Sequence, residues 1–255
     1  MNAPSDVVGR VGAVLKAVSG HEPDGASTSR VGRQTGLARP TAHRLLASLL
    51  EVGLVDRDAA TGRWVLGPEL YLLGATAADR YDVTAVAQPV VRRLSMATGE
   101  SAFFSARRGD ETICLVREDG SFPIRSHVLY EGIRFPLGVA SAGLAILAYL
   151  PDAEIDAFLV RTDLTAAYGV PHAAEQVRAR IAQTRSAGYA VNPGLLVEGS
   201  WGMGAAVFDE AERPQWALSL TGIERRFDEA RRRELGPLLL QQAHELSRAL
   251  RDSGR

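Results

Sequence analysis

At 255 residues and 46% apolar composition, the chain is long enough for two domains with separate cores. A formal net charge of −1 excludes a polybasic binder, so any basic surface has to be local, and a single cysteine, Cys114, excludes a disulfide framework or a multi-cysteine zinc site. With no run of about 18 apolar residues and no charged-then-apolar leader, neither a membrane span nor secretion is expected, and the expected location is cytoplasmic.

Val7, Val8, Val11, Val14, Leu15 and Val18 recur on one face of a first helix, followed by a polar loop from Gly20 to Ser27. Ser27 or Thr28 can cap a second helix by accepting an orphan backbone N–H. Gly36 supplies the left-handed residue that ends it, and Pro40 suits the first turn of a third helix. On that third helix Ala42, Leu45, Leu46, Leu49 and Leu50 form an apolar stripe. Its other face offers Thr41, His43, Arg44 and Ser48, with Arg39 just ahead. From Gly25 to Leu50 there is no acid, whereas Arg30, Arg33, Arg39 and Arg44 all fall there. A polyanion selects that charge pattern.

After Gly53, the segments 54–57 and 63–66 read as two short strands around a turn at 58–62, with Arg57 and Arg63 bracketing the hairpin. Helix, Gly turn, helix and basic hairpin make a winged helix-turn-helix, which places Thr28, Arg30, Arg33, Arg39, Thr41, His43, Arg44, Ser48, Arg57 and Arg63 against duplex DNA. One such head covers too few base pairs for operator-level discrimination, so two are expected on a near-palindrome. Val7, Val11, Val14 and Leu70 to Leu73 are the apolar surfaces available for that dimer.

Gly67-Pro68 closes the wing, and Pro68 opens a linking helix to about Ala78. The expected organisation is 1–67 winged helix, 68–82 linking helix, and 83–255 a second domain that alternates helices and strands. Its first helix carries Val86, Val90, Val91 and Leu94 to Gly99, with Pro89 either in the first turn or as a kink. Strands are expected at 101–106, 112–117 and 124–129, then a small-residue helix at 140–150. Asp152 is expected to cap the next helix, running to about Val160, and a polar stretch leads to a helix from Ala173 to Ala187. Three more strands follow at 189–192, 203–208 and 216–221, and a last helix at 228–250 is interrupted at Gly236-Pro237.

Catalysis finds no support. Cys114 has no histidine near it in sequence, the five histidines lack metal-ligand spacing, and no G-x-S-x-G nucleophile turn is present. No catalytic residue, metal or cofactor is expected. Two weaker alternatives stay open at this point: a winged helix used only for protein contact, which the acid-free basic helices argue against, and a small-molecule enzyme.

These residues resemble the IclR family of bacterial transcriptional regulators over nearly the whole chain. Thr35-Gly36-Leu37 with Thr41-Ala42-His43-Arg44-Leu45-Leu46 resembles the family's turn and recognition helix, and Gly53-Leu54-Val55 with Gly62-Arg63-Trp64-Val65-Leu66-Gly67 its wing. Gly132-Ile133-Arg134-Phe135-Pro136-Leu137, followed by Ala140-Ser141-Ala142-Gly143 and Ile146-Leu147-Ala148, resembles its effector-loop signature, with Glu198-Gly199 and Ala205 to Asp209 resembling the strand after its pocket. The resemblance implies an α+β two-domain fold: an N-terminal winged helix-turn-helix and a C-terminal GAF-like α/β effector-binding domain, assembled as homodimer or homotetramer. It further implies operator DNA and a small organic or aromatic acid as partners, and control of nearby, catabolic genes. Carried over by motif position, the effector pocket falls on Ala140, Ser141, Ala142, Asn192, Ser200, Gly202, Ser219 and Thr221. Arg125, just before the effector loop, is the candidate counter-charge for a ligand carboxylate, with a surface ion pair as the competing reading. The chain departs from the family at Gly32, where Ala is usual, at Arg30, where an acid is common, and at Leu144, where Lys is frequent.

Overall fold

A computed structural model describes residues 6–81, 83–123 and 128–252. The chain divides into two compact units, residues 1–81 and 82–255.

In the first unit Asp6 accepts the Gly9 N–H (2.7 Å) and opens helix α1 (Val7–Ser19). Val14 and Val18 are buried and Val11 and Leu15 pack beside them, but Val7 and Val8 are 66% and 80% exposed. Val14 is therefore spent on the core of the head, and is not free for a dimer surface as the sequence suggested. Ser27 caps α2 (Thr28–Thr35) by accepting the Arg30 N–H at 3.3 Å. Gly36, at φ 69°, takes the left-handed conformation that stops it. Helix α3 (Arg39–Glu51) then starts with Pro40 in its first turn, where a missing N–H is no loss. Ala42, Leu46 and Leu49 are buried, whereas Leu50 is 39% exposed. Eight residues past Ala42 a helix has turned roughly 80° beyond it, which carries Leu50 off the stripe. Strands β1 (Val55–Arg57) and β2 (Trp64–Leu66) pair antiparallel, with Val55 opposite Leu66. Ala26 and Trp64 exchange both backbone hydrogen bonds, so the loop before α2 is stitched to the wing. Helix α4 (Pro68–Tyr81) follows directly.

The second unit is built on a six-stranded antiparallel sheet in the order β5-β4-β3-β8-β7-β6. The strands are β3 (Ser101–Arg108), β4 (Glu111–Glu118), β5 (Arg134–Pro136), β6 (Ala190–Pro193), β7 (Ser200–Phe208) and β8 (Pro214–Ile223). Alternation gives each strand two faces. Ala102, Phe104, Met203, Ala205, Val207, Leu218 and Leu220 point into a core closed by α5 (Val83–Thr98) and α10 (Glu229–Asp252). The other face carries Ala190 and Ala217 under α6 (Ser141–Ala148), with α7 (Asp152–Arg161) and α9 (Ala174–Ala187) contributing to the same core. Every residue of α6 is buried, as its small and aliphatic sequence requires. A Cβ on Gly204 would stand 2.5 Å from the Ser141 carbonyl oxygen, so only glycine there lets the start of α6 rest on the sheet.

Four expectations need correction. The cap of α7 is Pro151, without a side-chain bond; Asp152 is the first helical residue and pairs with Arg185 at 2.8 Å. Helix α10 runs unbroken through Gly236-Pro237. A Cβ on Gly236 would lie 2.2 Å from the Tyr189 ring, so that glycine serves close packing and does not mark a break. The strand expected at 124–129 falls mostly outside the described residues, and Val128 and Leu129 are not in a strand; the strand beside β4 at that edge of the sheet is β5. The polar stretch before His172 contains a short helix, α8 (Thr165–Tyr168). Pro89 lies inside α5, beyond its first turn.

Candidate DNA-reading head and effector pocket

In the head, Arg30, Arg33, Arg39, His43, Arg44 and Ser48 are exposed and Thr28 and Thr41 half-buried, so the basic face of α2 and α3 stands clear of the core. Arg39, Pro40, His43 and Arg44 line one shallow concavity at the start of α3. The organising residue is Trp64 of β2, 3% exposed. Its indole N–H donates to Thr28 Oγ1 (2.9 Å), the His43 ring meets it edge-on with centroids 6.3 Å apart, and the Arg57 guanidinium lies 5.5 Å from its ring. Three expected DNA-facing residues are thus positioned by one buried ring that ties helix α3 to the wing. Arg57 Nε donates to Gly62 O (3.0 Å) and Arg63 to Asp24 O (3.3 Å), which holds both wing arginines while leaving further N–H donors on each guanidinium.

In the second unit the structure gathers Ala140, Ser141, Asn192, Ser200, Gly202 and Thr221 around one pocket, with Val128, Leu129, Leu196 and Trp201 completing it. Strand register explains the grouping: Asn192, Gly202 and Thr221 are cross-strand partners in one row of β6, β7 and β8. Ser219 occupies the next row, opposite Gly204, and is fully buried beneath the pocket, while Ala142 is buried in α6. Neither lines the space. Arg125 lies outside the described residues. The apolar lining residues 128, 129 and 196 come from irregular segments, where no periodicity could have marked them.

The pocket is narrow, with about 20 Å³ of room, enough for one water. Asn192 is fixed: its Nδ2 donates to Val139 O (2.8 Å) and its Oδ1 accepts the Leu195 N–H (2.9 Å). The hydroxyls of Ser219 and Thr221 are buried without a hydrogen-bond partner. Helix α6 starts at Ala140 with no side-chain cap, and Ala140 and Ser141 at that start line the pocket. Such a helix start with small hydroxyl neighbours is chemically suited to an anion.

Elsewhere, burial pushes the Cys114 thiol up to about 12, which keeps it from acting as a nucleophile at neutral pH. Among the described residues, no group of three or more His, Cys, Asp and Glu is placed to hold a metal ion, and no helix is long and apolar enough to cross a membrane.

Comparison with known proteins agrees with this geometry. The IclR helix-turn-helix domain matches residues 7–59, and the C-terminal domain of bacterial transcriptional regulator IclR matches residues 75–248. The HTH-type transcriptional regulator KipR of Bacillus subtilis is 29% identical over 231 residues, covering 90% of this chain and 91% of that protein. Among solved structures, an IclR transcriptional regulator from Alicyclobacillus acidocaldarius superposes with a TM-score of 0.77 at 25% identity, covering 94% of this chain and 96% of that one. An IclR homologue from Microbacterium hydrocarbonoxydans, complexed with 4-hydroxybenzoate, shares the fold with a TM-score of 0.75 at 22% identity, covering 95% of this chain and 99% of that one. The relatives are named as transcriptional regulators and repressors, not enzymes. The chain belongs to the IclR family: it is a transcriptional regulator with a DNA-binding helix-turn-helix and an effector-binding domain.

Proposed function

We propose that this regulator reads a near-palindromic operator with two copies of its head and responds to a small organic or aromatic acid bound at the N-terminus of α6. Helix α3 enters the major groove, with Arg39, Thr41, His43 and Arg44 towards base edges. Thr28, Arg30, Arg33, Ser48, Arg57 and Arg63 face phosphates. The observation that carries the effector reading is the convergence of an uncapped helix start with the unpartnered Thr221 hydroxyl in one pocket. A carboxylate placed there would accept from the α6 N–H groups and from Ser141 or Thr221, and its organic part would rest on Leu129 and Leu196. A protein of the same fold was solved with 4-hydroxybenzoate, an acid of the class proposed. Because the free space takes only about one water, ligand entry has to widen the pocket, and that widening is what changes the affinity for DNA. Exposed Val7, Val8, Tyr71, Leu72 and Leu73 supply apolar surface for a homodimer, which can pair further into a tetramer. The genes controlled are catabolic ones beside its own. A thermal-shift screen of the full chain against aliphatic and aromatic acids, repeated on Ser141→Trp, tests the reading. Stabilisation by an acid is expected in the natural sequence and not in the variant.

A further inference from the structure

A second cleft, distinct from the effector pocket, lies between the turn joining β7 to β8 and the last turns of α10. It is an open cleft of about 420 Å³, lined by Phe208, Glu212, His244, Ser247, Arg248 and Arg251. Residues 244, 248 and 251 follow helical spacing, so one face of α10 presents an imidazole and two guanidinium groups to the same space. None of these three side chains has a hydrogen-bond or ion-pair partner among the described residues. Two nearby acids are engaged by other side chains, and the one acid that lines the cleft is Glu212. Asp209 is held by Arg213 at 2.9 Å, and Glu245 accepts from both Gln241 and Gln242 at 2.9 Å. A helix C-terminus attracts cations by itself, but equally on every side of the helix. Here both arginines and the histidine fall on the cleft side.

A second, independent feature points to the same space. Glu212, at φ 57°, is the only non-glycine residue with positive φ among the described residues. A turn position of this kind is ordinarily given to glycine, and strain of this kind gathers at functional sites. The Glu212 side chain lines the same cleft as the arginines. The floor is rigid: the Phe208 ring packs edge-on against Tyr149 with centroids 5.5 Å apart, and Ser247 Oγ accepts the Phe208 N–H (3.0 Å) while donating to Ala243 O (2.8 Å).

We propose that this cleft is a second small-molecule site of the effector-binding domain, for a metabolite bearing a phosphate or a pair of carboxylates. Arg248 and Arg251 hold the anionic group through guanidinium forks, which match the geometry of both oxyanions. Glu212 and His244 hydrogen-bond a hydroxyl or amine on the remainder of the molecule.

The test is calorimetric titration of the full chain with pyrophosphate and, separately, with citrate at constant ionic strength. Saturable binding of one probe per chain is expected, weakened at least tenfold in the double variant Arg248→Ala/Arg251→Ala and unchanged in the effector-pocket variant Thr221→Val. Preference for pyrophosphate identifies a phosphate ligand, and preference for citrate a polycarboxylate. Both arginines are exposed, so the double variant should melt with the natural sequence, and circular dichroism checks this. The proposal is overturned by no saturable binding of either probe, by equal binding in the double variant, or by loss of binding in Thr221→Val. The last outcome would place the probe in the effector pocket.

Discussion

Replacing Thr221 by valine should make the unliganded protein more stable and deaf to its effector. The Thr221 hydroxyl is buried without a partner in a residue 6% exposed, and valine has nearly the same shape. An unsatisfied buried polar group costs about 1–3 kcal/mol, so removing it should recover a gain of that order. The pocket has room for about one water beside Thr221, which puts the gain at the lower end, near 1 kcal/mol. For a domain of this size that raises Tm by about 2–4 °C. Ser219→Ala should behave similarly, because the Ser219 hydroxyl is fully buried without a partner, less the cost of the small void. The assay is calorimetric melting of the full chain, read on the transition of the effector-binding domain, paired with operator binding with and without acids. Operator affinity without ligand should be unchanged and the response to acid lost. A valine variant that melts below the natural sequence would mean the opposite, that the hydroxyl contributes to the unliganded fold.

Arg44→Ala should cost about 1–3 kcal/mol of operator affinity and relax preference at one base pair, whereas Arg30→Ala should weaken all sequences alike and flatten the salt slope. Competition binding over single-base operator variants separates the two. Trp64→Phe removes the indole N–H held by Thr28 and should cost about 0.5–1.5 kcal/mol of head stability, and a larger share of DNA affinity through the misplaced His43, measurable by urea unfolding and anisotropy together. His172 is 1% exposed, with Nδ1 against Tyr168 O (3.0 Å), Nε2 unpartnered and Arg180 nearby. Burial foremost, and then the Arg180 charge, hold its pKa below the ordinary 6.5. Below 6.5 the unfolded chain therefore binds a proton that the folded one refuses, so stability is full above that pH and falls as pH drops, by at most about 1.4 kcal/mol per pH unit. In His172→Asn the stability profile between pH 7 and 5 should be flatter; profiles that run parallel would remove His172 from the account.

The head was legible because its signals are local. Ser27, Gly36 and Pro40 each fix the backbone beside them, and the acid-free run of arginines needs no tertiary information. What it could not show was Trp64, since the partners that give that ring its role, Thr28 and His43, come from two other elements. In the effector-binding domain the alternating strands and the small-residue helix could be read, but β5 could not, because three residues carry no period. The Gly236-Pro237 pair looks like punctuation for a related reason: only tertiary packing brings Tyr189 against it. The pocket followed from motif position for residues in regular elements. Its apolar side, residues 128, 129 and 196, is set by loops whose course no local rule determines.

The most direct test of the account is operator affinity of the full chain measured by anisotropy across a panel of small acids, with ligand affinity measured in turn with and without operator. One acid should change operator affinity by about 5–150-fold, operator should change that acid's affinity by the same factor, and both effects should vanish in Thr221→Val. An acid that stabilises the protein yet leaves operator affinity unchanged would contradict it.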